Sequence, residues 1–337
     1  MRIFDQVSFS KNSSVTIVLL CLNFLFWMIA EIIGSTNDAN TLVDFGALFG
    51  PLIAAGEFWR LFSSLFLHVG LLHLLFNSFA LFIFGPIIEN LFGKFRFIII
   101  YLFSGVSGSL ISLYFNPLVV AAGASGAIFG LLGALAAFFL LKRNILGVFA
   151  QKNFIAVIIL VAFNMFFGFL IPGVDNFAHF GGFISGLVIS LVLVPVLSIE
   201  NTIFSSPIFP YRKKLSISRY LYLPVVFAGL IVIAFISISN IPDNVYTRFV
   251  KAEKYFEDGQ YNMVLKETDE VVSILRQTKQ YKGMDPSNLL GSIFYFRGIA
   301  YVNLGDKGLA VKEFGSAVRY GDSETREKSL REIKKLD

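Results

Sequence analysis

Gly123-Ala124-Ser125-Gly126 opens an apolar stretch that continues to Leu141 without a charged side chain. Lipid offers no hydrogen bonds to backbone groups, so a stretch this long and this apolar must form a helix if it lies in a membrane. Glycines on both sides of Ser125 let the backbone turn sharply before the helix begins. The sequence therefore predicts a membrane helix with a serine at its start.

The charged residues of this 337-residue chain are unevenly distributed. The first 240 residues hold only 12 of the 28 Lys and Arg and 8 of the 23 Asp and Glu, although 55% of the chain is hydrophobic. Ordinary soluble domains carry about 25% charged residues. We therefore predict a multi-pass membrane protein followed by a soluble domain. The net charge of +5 comes mostly from the membrane part, which argues against a nucleic-acid partner.

Seven apolar stretches are long enough to be membrane helices. They cover residues of about 14–33, 70–90, 96–115, 124–141, 153–171, 177–199 and 221–239. Every second connection is basic, through Arg2, Lys11, Lys94, Arg96, Lys142, Arg143, Lys152, Arg212, Lys213, Lys214 and Arg219. Cytoplasmic loops collect Lys and Arg, so this alternation predicts a cytoplasmic N-terminus. An odd number of spans then places residues 241–337 outside the cytoplasm.

The first connection, residues 34–69, is long and apolar, and glycines and Pro51 interrupt it. It is too broken to span a bilayer. We expect it to lie in the membrane interface, with Trp59 and Arg60 as its anchors.

Two interpretations of Ser125 are open. Gly126, Gly130 and Gly133 include the small-residue spacing that lets membrane helices approach closely, so the serine could serve packing alone. Alternatively, the glycines expose its hydroxyl at the helix start, where free N–H groups and the positive end of the helix dipole favour a developing oxyanion. A serine hydroxyl needs a base to act as a nucleophile, and histidine is suited to that task.

The chain has three histidines, and each lies in or beside an apolar stretch. His73 and Asn77 are four residues apart and share one helix face, with His68 just before them. His179 lies three residues before Gly182, on a second small-residue helix face. Polar side chains inside apolar helices usually mark a functional cavity, although each could simply hydrogen-bond to a neighbouring helix.

A metal site and a catalytic triad are both less favoured than a serine–histidine pair. Three histidines could bind zinc, but no H-E-x-x-H spacing is present and Cys21 is the only cysteine. A carboxylate to orient His179 is hard to find, because Asp175 is better placed to cap the helix that carries His179. We therefore expect a dyad, with neither a metal nor a cofactor.

Taken in order, these motifs resemble the rhomboid family of intramembrane serine proteases over about residues 40–200. The matching parts are Trp59-Arg60, then His68 with His73 and Asn77, then Gly123-Ala124-Ser125-Gly126, and finally Ala178-His179 followed by Gly182 and Gly186. The resemblance implies that Ser125 is the nucleophile and His179 the general base. It also implies an oxyanion hole formed by His73, Asn77 and backbone N–H groups around Ser125.

The resemblance implies supporting roles for several other residues. Glu89 matches a structural polar position at the cytoplasmic end of the second span, and His68, Trp59 and Arg60 look like support for the site. Phe129 stands where some members carry a tyrosine beneath the histidine. Phenylalanine keeps the stacking and loses the hydroxyl.

Beyond Ile241-Pro242 the composition becomes that of a soluble domain. Gly298, Tyr301, Ala310, Phe314 and Ala317 are similar in spacing to a tetratricopeptide repeat. A weaker copy surrounds Gly259-Gln260-Tyr261, and a capping helix is expected near 323–335. Such a domain could bind a peptide or protein partner, or could be a plain helical hairpin.

The fold prediction is therefore all-α. It combines a six-helix rhomboid-like membrane core (1–200), a cytoplasmic basic linker with a seventh transmembrane helix (201–240), and an extracytoplasmic TPR-like domain (241–337). The predicted function is cleavage of transmembrane helices of other membrane proteins, in a prokaryotic plasma membrane. The alternative is a catalytically silent relative that binds membrane proteins as an adaptor. A transporter is less favoured, because no inverted repeat is visible.

Overall fold

The computed structural model describes residues 13–194, 196–199, 211–214, 220–277 and 286–336. The chain divides into two compact units. The first contains Met1–Phe49 and Phe58–Asn240, and the second contains Gly50–Glu57 and Ile241–Asp337. The second unit therefore begins after Asn240, and it also includes a short piece of the first connection that the sequence did not predict. The predicted charges Arg2, Lys11 and Arg219 lie outside the described residues.

Up to residue 240 the described chain is almost entirely helical. In chain order the helices are α1 (Ser14–Ile33), α2 (Ala39–Asp44), α3 (Gly50–Ala54), α4 (Arg60–Ser63), α5 (Gly70–Phe92), α6 (Lys94–Phe115), α7 (Ser125–Leu170), α8 (Asn176–Leu193) and α9 (Leu223–Ser239). A 3-10 turn covers Ser64–Phe66. Two short strands, β1 (Val196–Ile199) and β2 (Tyr211–Lys214), pair antiparallel in the linker and add a small element to the predicted all-α fold.

Five of these helices are long and apolar enough to cross a membrane, by length and composition: α1, α5, α6, α7 and α8. With 46 residues, α7 would extend roughly 69 Å, more than twice the thickness of a bilayer core. Its backbone breaks at Gly147, where φ is 54° and ψ is −134°. Two helices therefore meet at Gly147, and each contains one of the two predicted spans. The basic residues predicted to connect the spans extend these helices up to the break. The last apolar helix, α9, has only 17 residues, and its role as a seventh span stays a prediction.

The helix α9 follows α6 along its length. Three contacts join them: Arg96 Nε donates to Tyr220 Oη at 3.0 Å, the rings of Phe103 and Phe227 meet edge to face at 5.3 Å, and Asn240 Nδ2 donates to the Tyr114 carbonyl at 2.7 Å. The start of α9 thus lies near the start of α6, and the end of α9 lies near the end of α6. The two helices run in the same direction.

The carboxylate of Glu89, near the end of α5, accepts hydrogen bonds from the first turn of α1. It accepts from the backbone N–H groups of Val15 at 3.0 Å and Thr16 at 2.9 Å, and from the Thr16 hydroxyl at 2.8 Å. Glu89 is only 3% exposed. The first N–H groups of a helix have no partner within the helix, so this buried carboxylate stabilises the end of α1 through charge-assisted hydrogen bonds.

We expect Glu89→Ala to lower the free energy of unfolding by about 3 kcal/mol, because it leaves three donors without an acceptor in a buried place. The measurement is thermal unfolding of the purified protein in detergent. The control is Asp38→Ala, which removes an exposed carboxylate that caps α2 by accepting from Thr41 N at 2.9 Å, a loss of about 1 kcal/mol. Equal losses for the two variants would contradict a special role for Glu89.

The second unit consists of α3 and five helices after residue 240. These are α10 (Val245–Glu257), α11 (Tyr261–Gln277), α12 (Pro286–Asn303), α13 (Lys307–Tyr320) and α14 (Ser323–Leu336). Each packs against the next, and α3 packs against α10. Lys254 Nζ lies 3.2 Å from Glu57 Oε1, and hydrogen bonds to Asp258 and Glu57 raise the pKa of Lys254.

The small and large residues noted in the C-terminal sequence meet where α12 packs on α13. A Cβ atom added at Gly298 would lie 2.5 Å from the Phe314 ring, and Ala310, Phe314 and Ala317 are fully buried. The turns between α10 and α11 and between α12 and α13 both contain a glycine with positive φ, Gly259 and Gly305. The helix predicted near 323–335 is present as α14. The assignment to tetratricopeptide repeats stays a prediction.

Candidate active site

Ser125 is the first residue of α7, and the segment before it is held from the first connection. Leu48 and Ala121 exchange two backbone hydrogen bonds, each 2.9 Å long, and Gly123 N donates to the Ser64 carbonyl at 2.9 Å. Gly123 has a φ of 145°, which favours glycine. The backbone that delivers Ser125 to the helix start is therefore fixed on both sides of Ala122.

His179 lies in the first turn of α8, and its ring stacks on Phe129 of α7. The ring centroids are 4.2 Å apart and the planes differ by 7°. Phe129 is one turn beyond Ser125, so the two residues share a face of α7. The imidazole therefore lies on the same face of α7 as the serine, and it is only 9% exposed.

The helices α7 and α8 meet backbone to backbone where they carry these residues. A Cβ atom added at Gly182 would lie 2.0 Å from the Gly126 carbonyl oxygen, and one at Gly186 would lie 2.2 Å from the Gly130 carbonyl oxygen. Only glycine permits this approach. The small-residue spacing at Gly126 therefore serves close packing, and this packing brings the serine helix against the histidine helix.

His73 of α5 faces the same region. A Cβ atom added at Gly123 would lie 2.7 Å from Cε1 and 3.0 Å from Nε2 of His73, and 3.8 Å from Ser125 Oγ. Asn77, one turn later, donates from Nδ2 to the His73 carbonyl at 3.0 Å and is 6% exposed. The structure thus brings His73 beside Ser125, while Asn77 bonds within its own helix.

His68 and the pair Trp59-Arg60 surround the site from the first connection. His68 is fully buried; its ring lies 5.3 Å from that of His73, and its Nε2 lies 3.5 Å from Ala124 N. Arg60 Nη1 donates to the carbonyls of Val43 at 2.5 Å and Ala47 at 3.2 Å.

The predicted placement of Arg60 at the lipid interface is wrong. Its side chain is 5% exposed and its guanidinium lies 4.7 Å from the centre of the Trp59 ring, which is itself half exposed. Two carbonyls of the first connection, those of Val43 and Ala47, converge on this one cation. Arg60 therefore holds the first connection together from inside.

Within the described ranges, Nδ1 of His179 is buried and accepts or donates no hydrogen bond. Among the residues that the structure describes, no carboxylate bonds to the Nδ1 atom of this ring, which stacks on Phe129. The same ranges contain no group of three His, Cys, Asp or Glu side chains that could hold a metal ion. This geometry can supply a hydroxyl, an imidazole and a second imidazole to one small region.

Comparisons with known proteins show the family of this chain. The Rhomboid domain matches residues 55–196. The rhomboid homologue YdcA of Bacillus subtilis (strain 168) is 33% identical over 192 residues, which cover 92% of that protein and 56% of this chain. The chain belongs to the rhomboid family. The family resemblance predicted over about residues 40–200 is thereby confirmed, and this rhomboid is an integral membrane protein.

Two further rhomboids show how far the similarity extends. Rhomboid protease GluP of Bacillus subtilis (strain 168) is 40% identical over 178 residues, or 53% of this chain and 34% of GluP. RHOMBOID-like protein 1 of Arabidopsis thaliana is 38% identical over 187 residues, or 55% of this chain and 47% of that protein. The chain thus spans between a third and a half of the length of these relatives.

Three contacts that build the site of this rhomboid were not predicted from the sequence. Leu48 pairs with Ala121, and Gly123 N donates to the Ser64 carbonyl. Both contacts join the first connection to the segment before α7, and no sequence pattern in either segment indicates that they meet. Asp175 was predicted to cap α8, and it does accept from Ala178 N at 3.0 Å. Its second bond, from the Ser112 hydroxyl, was not predicted.

Proposed function

We propose that this rhomboid is an intramembrane serine endopeptidase that cleaves transmembrane helices of other membrane proteins. The observation that carries the proposal is the stacking of His179 on Phe129, one turn from Ser125, across a glycine-lined helix contact. A serine becomes a nucleophile when a base is in reach, and the family includes relatives named as proteases.

In the proposed reaction, His179 accepts the proton of the Ser125 hydroxyl while Oγ attacks the carbonyl carbon of the scissile peptide. The oxyanion is stabilised by His73, by the second N–H of the Asn77 amide and by the free N–H groups at the start of α7. His179 then gives the proton to the leaving amine, and an acyl-enzyme remains. A water molecule, deprotonated by His179, then attacks the ester carbonyl. The bond to Ser125 Oγ breaks, His179 returns the proton to Oγ, and the second product leaves with a new carboxyl group.

A peptide bond inside a lipid-embedded helix is shielded by its own hydrogen bonds. The enzyme must therefore admit water and accept a locally unwound substrate. We propose that substrates are membrane helices with glycine, proline or other helix-weakening residues near the outer end. These substrates are single-span or polytopic membrane proteins that reach the enzyme through the lipid bilayer.

We further propose how the chain is oriented in the membrane and which role each part of it has. The N-terminus lies in the cytoplasm, residues 1–200 form the protease core, residues 201–240 hold the linker and a seventh span, and residues 241–337 are extracytoplasmic. The basic linker residues and the parallel course of α6 and α9 support this arrangement. The TPR-like helices of the second unit would recruit a peptide or protein partner.

A fluorophosphonate probe separates this proposal from a silent adaptor, since it reacts only with an activated serine. We expect the purified protein to be labelled at Ser125 and Ser125→Ala to remain unlabelled. Ser185→Ala is the matched control, because the Ser185 hydroxyl donates to the Gly181 carbonyl of its own helix at 2.7 Å. Absence of labelling in folded wild-type protein would favour the adaptor.

A further inference from the structure

The N-terminus of α8, which carries His179, is joined to α6 by one carboxylate. Asp175 Oδ1 accepts from Ala178 N at 3.0 Å, and its Oδ2 accepts a short hydrogen bond from the Ser112 hydroxyl of α6. Ser112 is 3% exposed. The Asp175 carbonyl also accepts from His179 N at 3.1 Å, so the bridge lies one helical turn from the imidazole.

Other contacts at this end of α8 also involve α6. The rings of Phe115 and Phe177 stack at 4.2 Å with an angle of 11°. A Cβ atom added at Gly108 would lie 2.7 Å from the Ala178 carbonyl oxygen. The end of α8 next to His179 is thus seated on α6, whereas Ser125 belongs to α7.

The glycine contact between α7 and α8 and the Asp175–Ser112 hydrogen bond constrain α8 in different ways. Glycine faces set how closely α7 and α8 approach, whereas the Asp175–Ser112 bond ties the N-terminal end of α8 to α6. A hydrogen-bonded carboxylate at the helix end has one preferred geometry and resists a shift along the helix axis. A misplacement of about 1 Å can lower catalysis by about 100-fold.

We infer that Asp175 and Ser112 are positioning residues that set the height of His179 relative to Ser125. This inference rests on the proposed protease function. Neither residue touches the reacting atoms, and Asp175 acts through α8.

Simple helix capping is a competing explanation, and the two bonds of Asp175 can be separated by substitution. Asp175→Asn keeps an acceptor for Ala178 N and gains an amide that can donate to Ser112. Asp175→Ser is also a good N-cap, but its side chain is too short to span both partners. Ser112→Ala keeps the cap and removes only the bridge.

The test uses the purified full-length chain, a single-span substrate, and separate measurement of kcat and KM. We expect Asp175→Ser and Ser112→Ala each to lower kcat by about 10- to 100-fold with KM within about twofold. Asp175→Asn should retain kcat within about threefold. The double variant Asp175→Ser with Ser112→Ala should be no slower than either single variant, since both remove one bridge.

Asp306→Ala is the matched control. It removes an equivalent cap in the second unit, where Asp306 accepts from Leu309 N at 3.0 Å, and should leave kcat unchanged. The inference is overturned if wild-type protein is active and the two bridge variants keep its kcat, or if Asp175→Asn is as slow as Asp175→Ser. Equal cleavage by wild type and Ser125→Ala would instead reject the protease function itself.

Discussion

Ser125→Ala is expected to lower cleavage of a single-span substrate by at least about 10⁴-fold, because it removes the atom that forms the acyl-enzyme. His179→Ala should cost a similar factor, since it removes the imidazole that stacks on Phe129 one turn from Ser125. The double variant should be no slower than either single one, because the two residues act as a unit. The measurement is the appearance of product fragments from protein reconstituted in liposomes.

The controls separate chemistry from folding. Ser185→Ala lies on the same helix as His179 and should cleave normally. Ser125→Ala and Ser185→Ala should unfold at nearly the wild-type temperature, since each removes a single hydroxyl. His179→Ala also loses a buried ring that stacks on Phe129 and should unfold at a lower temperature. Cleavage by Ser125→Ala at the wild-type rate would mean that another group is the nucleophile.

Gly182→Ala should produce the second large effect. Its Cβ would lie 2.0 Å from the Gly126 carbonyl oxygen, and backbone cannot move aside as a flexible side chain can. The helices α7 and α8 would have to separate at the level of Ser125. We expect a loss of about 3 kcal/mol in the free energy of unfolding, from overpacking, and a fall of about 100-fold in kcat, from misplacement of His179.

Gly229→Ala is the matched control for this substitution. Gly229 lies in the apolar helix α9, and a Cβ there would meet nothing within 4 Å. Alanine has the higher helix propensity, so this variant should be as stable as wild type or slightly more stable. Similar behaviour of Gly182→Ala and Gly229→Ala would show that the glycine contact between α7 and α8 is not required.

The membrane helices of this rhomboid could be predicted because apolar length alone is a strong signal. Two features of the fold could not be predicted from apolar length. The basic residues between 142 and 152 suggested an irregular loop, yet they extend two helices that meet at a sharp break at Gly147. The helix α3 looked like part of an interfacial loop, and no local pattern indicates that it packs on α10.

The candidate site was predictable to the extent that its residues lie on regular elements. Spacing on a helix places His73 near Asn77, and glycine faces suggested that the Ser125 and His179 helices touch. The bridge from Ser112 to Asp175 and the burial of Arg60 depend on how separate segments fold over one another. One-dimensional spacing carries no signal for such contacts.

The packing of Gly50–Glu57 on α10 has a consequence for biogenesis. This loop leaves the ribosome long before Val245–Glu257, so its buried residues Leu52 and Ile53 lack the packing of α10 until that helix has been made. Contacts between such distant segments form slowly. A nascent chain stalled before α10 would expose an apolar segment to chaperones and quality-control proteases, and the second unit could mature only once its helices after residue 240 have left the ribosome.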